Sequence, residues 1–316
     1  IKLFLVAATG LMVFARVRVD RLLITYVAAG AVVAVFGIAQ YLTGSVPFRD
    51  HVPPKRGDRW EIEAFYNHHL TYGGHVVVLW LLAVARGVFG TARTTGRLRR
   101  AFTVVSIVLL SLGLYWSYAR SPQVGALGGI AVLLLLLPGR RRLFASAVVV
   151  VALAVALASP TMRARYVDAL DVSTEQTRLL LWRSSADGID ARPWTGFGPG
   201  NFHEMMQVHE VAGEYNTRAH AHNDYLMHAV NGGVPLLVFS LAFAGAIAVV
   251  LWRWRYRRDG SIDWIVVGPL AAHVALVVAG LFQVFQTDDE VEFTLYFTLA
   301  CALAHVAQRR GVEAGG

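Results

Sequence analysis

Arg178, Trp182 and His222 are the residues whose types and spacing could do chemistry in this sequence. Arg178 and Trp182 lie four apart in the segment 175–183, which reads as an amphipathic helix with Thr174 as its cap, so guanidinium and indole share a face. Two readings fit. One is an interfacial helix with a snorkelling arginine and an anchoring tryptophan. The other is an arginine fork directed at phosphate, with the indole as a plate for a sugar or an isoprenoid. Further on, His220-Ala221-His222-Asn223-Asp224 stands where the polar chain re-enters an apolar run. A histidine is the side chain best suited to take a proton near neutral pH. Here it lies beside arginines and a helix start, where an anion can bind. As a metal signal His-x-His is weak, because zinc recruits three or four protein ligands and no cysteine is near; no metal and no cofactor is expected. Between the two motifs, the stretch from Pro193 to Gly200 carries three glycines and two prolines. No Gly-Lys-Ser/Thr follows it and no strand precedes it, so it reads as structural punctuation and not as a nucleotide loop.

These motifs fall in one polar interval, Pro160 to Gly233, of an otherwise apolar chain. With 316 residues, 56% hydrophobic and 16% charged, and a mean hydropathy of +0.50, the composition is that of a multi-spanning membrane protein. Apolar runs lie at Leu3–Ala15, Leu22–Leu42, Leu70–Phe89, Phe102–Ala119, from the Arg120-Ser121-Pro122 turn to Leu137, and at Leu143–Ala158, Tyr225–Trp252, Trp264–Phe285 and Phe293–Ala307. They are far longer than barrel strands need. The expectation is an all-α polytopic membrane helical bundle of about nine spans, with a large extracytoplasmic loop containing short helices. The chain divides into N-terminal transmembrane helices (1–159), the extracytoplasmic loop (160–224) and C-terminal transmembrane helices (225–316). The single cysteine, Cys301, cannot form an internal disulfide and reads as a packing residue.

The net charge of +8 does not indicate nucleic acid, because the arginines cluster in short connections between apolar runs. Arg16/Arg18/Arg21, Arg93/Arg97/Arg99/Arg100, Arg140–Arg142, Arg253/Arg255/Arg257/Arg258 and Arg309/Arg310 all fall on one side of this topology, which the positive-inside rule makes cytoplasmic. The long polar interval and Asp288-Asp289-Glu290 fall on the other. The chain starts outside, with Ile1 and a short first run, and so reads as a fragment lacking an odd number of N-terminal helices; no cleavable signal peptide is visible.

Arg178-x-x-x-Trp182, Pro193-x-x-Gly196-x-Gly198-x-Gly200-x-Phe202, and His222-Asn223-Asp224-Tyr225-Leu226 with Gly233-Val234-Pro235 together resemble the signature of the O-antigen ligase family. Phe65-Tyr66-Asn67-His68, Ala119-Arg120-Ser121 and Asp289-Glu290 resemble further elements of it; Ala119 and Leu236 depart from its commoner residues. The resemblance implies about twelve spans in the full protein and a site on the periplasmic side of the bacterial cytoplasmic (inner) membrane. The implied reaction is metal-independent glycosyl transfer from an undecaprenyl-diphosphate-linked glycan donor to a lipid A core hydroxyl, or to another glycan or protein acceptor, among membrane lipids. His222 would be the general base and Arg178 and Arg120 the diphosphate clamps. Arg59, Arg218, Trp182, Asn223 and Asn67 would contact substrate, with Asn223 orienting either the base or the substrate. Asp288–Glu290 reads as a solvated turn and not as a pair of catalytic carboxylates, so direct, inverting displacement is expected. A repeat-unit polymerase and a protein O-oligosaccharyltransferase share this site chemistry. Outside enzymes, a transporter would place His75, His273 and Gln283 at work within the spans, and a scaffold would use the loop as a partner surface.

Overall fold

The computed structural model describes residues 2–45, 52–56, 58–90, 96–168, 176–286 and 288–314; Thr174 and Glu175 of the expected amphipathic helix lie outside these. Twelve helices are present among them: α1 (Lys2–Phe14), α2 (Val19–Thr43), α3 (His69–Phe89), α4 (Arg97–Trp116), α5 (Arg120–Leu136), α6 (Gly139–Ala158), α7 (Pro160–Asp168), α8 (Gln176–Ala191), α9 (Phe202–His209), α10 (Asp224–Arg253), α11 (Trp264–Ala279) and α12 (Asp289–Ala314). Every apolar run is helical. Six helices, α2, α3, α4, α6, α10 and α12, are long and apolar enough to cross a membrane; the apolar helices at Phe4–Phe14, α5 and α11 are shorter. One departure from an all-α chain is a small antiparallel hairpin between α2 and α3, β1 (Lys55–Arg56) with β2 (Arg59–Trp60), pairing Lys55 with Trp60 and Arg56 with Arg59.

The bundle is built around α3 and α11. Both are largely apolar and largely buried, as helices at the centre of a bundle must be. Of the most apolar window of α3, 72% is buried, against none of α6, which therefore lies at the periphery with its valines and leucines facing outward. α11 packs most closely on α5 and α3. In hydrocarbon, helices gain nothing from hiding apolar surface from one another and associate through close backbone approach. α5 achieves this with Gly125 and Gly129, one turn apart: a Cβ at Gly125 would run into the Ala275 carbonyl oxygen, and one at Gly129 would stand 2.8 Å from that of Ala271. Gly125→Leu is expected to destabilise the detergent-solubilised protein by about 1–3 kcal/mol through overpacking, read as a lower thermal midpoint. The same change at Gly10, where a Cβ would meet nothing, should leave the midpoint in place.

The run Tyr225–Trp252 is not one uninterrupted helix. α10 breaks at Gly232 (φ −143°, ψ 20°) and Gly233 (φ 68°, ψ −173°), just before Pro235. The glycine-rich turn fills this break, as punctuation should. Phe197 N–H donates to the Val230 carbonyl (2.7 Å), Gly198 N–H to that of Asn231 (3.0 Å), and Val234 N–H to that of Pro193 (2.7 Å). Gly233 is required twice over: its φ is left-handed, and a Cβ there would strike the Pro193 carbonyl oxygen. The first part of α10, Asp224–Asn231, thereby belongs to the polar interval. It packs with α8 and α9 on a separate small core of Leu181, Phe202, Met205, Met206, Ala221, Met227, Val230 and Val284.

Candidate active site

The His222-Asn223-Asp224-Tyr225 segment is bolted to the connection between α11 and α12. Asn223 caps α10, its Oδ1 accepting from the N–H groups of Tyr225 (2.9 Å) and Leu226 (3.0 Å), and its Nδ2 donates to the Leu281 carbonyl (3.1 Å). Asp224, 1% exposed, accepts at Oδ1 from Phe285 N–H and Gln286 N–H, both at 3.0 Å. Tyr225 Oη donates to the Val277 carbonyl at 2.5 Å. Both side-chain polar atoms of Asn223 and the Oδ1 of Asp224 thus go to backbone, which makes both residues positioning groups for the start of α10. Asp224→Ala removes the acceptor of two buried N–H groups and is expected to cost about 1–3 kcal/mol of stability per buried group left unsatisfied, measured by thermal unfolding in detergent.

His222 is the member of the segment that lines a cavity. Its backbone sits at φ 49°, an uncommon conformation for a non-glycine residue. Its Nδ1 faces Gln283 Oε1 at 2.7 Å. Facing an amide oxygen, Nδ1 is the donor, and in the neutral ring that tautomer leaves the lone pair on Nε2, the arrangement a general base needs. Gln283, 8% exposed at the end of an apolar run, is the orienting group that the sequence reading assigned to Asn223. The other histidine of the pair is unsuited to the task. His220, packed against His222 with ring centroids 4.2 Å apart, has its pKa pushed down to about 4 by burial, with His222, His68 and Arg178 adding to the effect. It is a poor base at neutral pH. Between pH 6.5 and 4 the unfolded chain binds a proton at His220 that the folded chain does not, so this residue withdraws stability as pH falls through that window.

His222 opens onto a cavity of about 730 Å³ that gathers segments far apart in the chain. α3 contributes His69 and Leu70, α5 Arg120, Ser121 and Val124, α7 Arg165 and Tyr166, and α8 Arg178, Leu179 and Trp182, while Asn216, His222 and Phe282 complete the wall. Four of the expected residues, Arg120, Arg178, Trp182 and His222, are therefore brought together. Arg120 stands at the first position of α5, behind the tight Tyr118 turn (φ 53°), and its Nη1 donates to the Arg165 carbonyl at 3.1 Å. Arg165 Nη2 in turn donates to the Tyr118 carbonyl at 3.3 Å. The two arginines thus tie the start of α5 to α7, and Arg120 sits where the positive end of the α5 dipole adds to its field. Trp182 donates its indole N–H to the Ala221 carbonyl (2.9 Å), so it also holds the irregular segment that carries His222.

The other expected contacts lie elsewhere. Arg218 is on the outside, bidentate to Glu210 (2.8 and 2.9 Å) and stacked over Tyr215. Arg59 is exposed on the hairpin, near the Tyr41 ring, and Asn67 is exposed just ahead of α3. None of the three lines the cavity. The residues that sequence reasoning missed are His69, Arg165 and Tyr166. His69 is buried with Glu61, Nδ1 to Oε2 3.5 Å. Tyr166 donates to Gln123 Oε1 (2.8 Å) and has its pKa raised by burial, against the opposing pull of Arg120 and Arg165. Of the candidates for transport chemistry, His75 is paired with Thr294 (2.8 Å) and His273 with the Ala244 carbonyl (3.0 Å) inside the bundle, away from this cavity. Among the described residues, no group of three His, Cys, Asp or Glu side chains is placed to hold a metal ion.

Residues 105–241 match the family model described as O-antigen ligase (Wzy_C). Over these residues, less than half of its length, the chain is similar to the O-antigen ligase family. A search of the curated proteins gave no match. The O-antigen ligase segment contains Arg120, Arg165, Tyr166, Arg178, Trp182 and His222, whereas His69, Phe282 and Gln283 complete the site from outside it. The long apolar helices are those of a multi-pass membrane protein, and the family match points to ligase- or polymerase-type activity on glycans.

Proposed function

We propose that the protein transfers a glycan from undecaprenyl diphosphate to a hydroxyl of a lipid A core or related acceptor, on the periplasmic face of the inner membrane. The observation that carries this reading is the convergence of Arg120, Arg165 and Arg178 with His222 on one cavity. In the reaction the acceptor oxygen attacks the anomeric carbon. The bond from that carbon to the diphosphate oxygen breaks, and its electron pair leaves with the diphosphate. The acceptor proton passes to His222 Nε2, while Gln283 holds Nδ1. The arginines neutralise the charge that grows on the leaving diphosphate, which is where fixed cations lower a barrier most. A single displacement of this kind inverts the anomeric centre. The apolar part of the wall, Leu70, Val124, Leu179 and Phe282, suits the isoprenoid end of the donor.

The test is reconstitution in vesicles with an undecaprenyl-diphosphate glycan and a choice of lipid A core, lipid-linked glycan or peptide acceptors, with products followed by mass spectrometry. Glycan joined to lipid A core is the expected product. Lengthened lipid-linked glycan would make the protein a polymerase, and glycosylated peptide a protein O-oligosaccharyltransferase. Absence of transfer to every acceptor would overturn the enzymatic reading.

A further inference from the structure

A second cavity, of about 400 Å³, opens at the other end of the bundle. α3 measures the separation: His69 lines the first cavity and Arg86 the second, 17 residues and about 26 Å apart along the helix, close to the hydrocarbon thickness of a bilayer. The second cavity thus lies on the face of the arginine-rich connections, which the positive-inside rule makes cytoplasmic.

Topology alone would ask only that arginines lie somewhere in these connections, and most of them project into solvent. Here they converge. Arg16, Arg18, Arg86, Arg99 and Arg257, with His305, line one concave site in which, among the described residues, Asp20 is the one carboxylate. Asp263, buried behind them, is engaged by Arg257 (3.1 Å), His305 (2.8 Å) and Arg309 (3.3 Å), and Asp20 lies 3.4 Å from Arg18, so the cations of the lining outnumber the acids they meet in these contacts. Arg86 is the informative residue. It is 6% exposed, donates to Thr103 Oγ1, and lies 6.0 Å from the centre of the Trp264 ring. A guanidinium buried at the end of a membrane helix is costly unless an anion shares its surroundings. The remaining wall is apolar, Val17, Ile24 and Ile265 among its residues.

We propose that this cavity is a phosphate site, filled from the cytoplasmic leaflet by an anionic phospholipid headgroup. The arginines take the phosphodiester in the bidentate manner suited to guanidinium, and the apolar wall receives the glycerol and the first acyl carbons. Basic pockets between helices on this side of a membrane bind lipid headgroups for the same reasons. A free phosphate could use the same arginines but would leave the apolar wall unused.

The test is native mass spectrometry of the full chain, delipidated in detergent and titrated with phosphatidylglycerol, with phosphatidylcholine and with inorganic phosphate. The variants are Arg16→Gln/Arg99→Gln, both at the exposed rim, and Arg86→Gln; circular dichroism reports whether each is folded. Phosphatidylglycerol should bind at least about tenfold more tightly than phosphatidylcholine, and the rim double variant should lose about tenfold or more of that affinity, since each cation near the membrane surface contributes on the order of 1 kcal/mol. Arg120→Gln, in the other cavity, should retain the lipid. Binding of inorganic phosphate with the same arginine dependence and no lipid preference would keep the phosphate site and assign it to the free anion. Equal retention of the two lipids with no phosphate binding, full binding by the rim double variant, or loss of the lipid in Arg120→Gln would overturn the proposal.

Discussion

His222→Asn is expected to lower glycan transfer by about 10²–10⁴-fold, the usual contribution of a positioned general base, with donor binding changed little. Asparagine is the informative replacement. His222 holds a positive φ of 49°, and asparagine visits that region far more readily than alanine, so the turn into α10 survives and the loss reports chemistry. Replacing Gln283 by leucine removes the oxygen that faces Nδ1 at 2.7 Å. It should give a smaller loss confined to kcat, because Gln283 fixes the tautomer and ring orientation without touching the acceptor. The measurement is steady-state transfer in reconstituted vesicles, with donor retention scored separately by binding. Wild-type turnover in His222→Asn would end the general-base assignment. An equal loss in His220→Asn would show that the pair acts as a structural unit.

The helices were legible because lipid demands long apolar runs, and nothing short of a break in composition hides them. The break in α10 is hidden because composition does not change there. Gly232-Gly233 and Pro235 are individually apolar or neutral, so hydropathy runs through them, and only the backbone groups freed at Val230 and Asn231 and taken up by Phe197 and Gly198 reveal the discontinuity. At the site, Arg120, Arg178, Trp182 and His222 could be picked out because each is a chemically distinctive side chain in a short segment at a helix end. Arg59 and Arg218 have the same chemistry and are not at the cavity, since residue type carries no information about which loop folds over which helix. Arg165 was the converse case: one of two arginines in α7, it gains meaning only from the Tyr118 turn it grips 47 positions away. Gln283 resembled an isolated polar residue within a span, and its role follows from the fold-back of the α11–α12 connection onto His222. Asn223 was assigned to orient the base because it is its neighbour in sequence, but a residue that caps a helix has already committed its side-chain oxygen.

Arg120→Gln and Arg178→Gln are each expected to lower transfer by about 10²–10³-fold, the effect of removing one fixed donor from a developing anion. Glutamine keeps the length and some hydrogen bonding, so the change isolates charge and the bidentate fork. Lysine restores the charge as a point but not the fork, and Arg178→Lys should recover only part of the loss. The two losses should not add. A diphosphate held by one arginine re-centres on it, so the double variant is expected to fall short of the product of the single effects, as for any pair acting on one charge. Arg120 should prove the more sensitive of the two to packing, because its Nη1 is tied to the Arg165 carbonyl and Arg165 in turn to Tyr118. Arg165→Gln would then weaken transfer partly by releasing Arg120. Arg218→Gln supplies the contrast: its guanidinium is engaged with Glu210 on the exposed surface, a type of pair that contributes little to stability, and transfer should stay within about twofold of wild type. Transfer by each variant at saturating acceptor, with the donor concentration varied, separates the cases. Losses of this size at Arg120 and Arg178, with Arg218 unaffected, follow only if the diphosphate sits in the cavity and not over the outer surface of the loop.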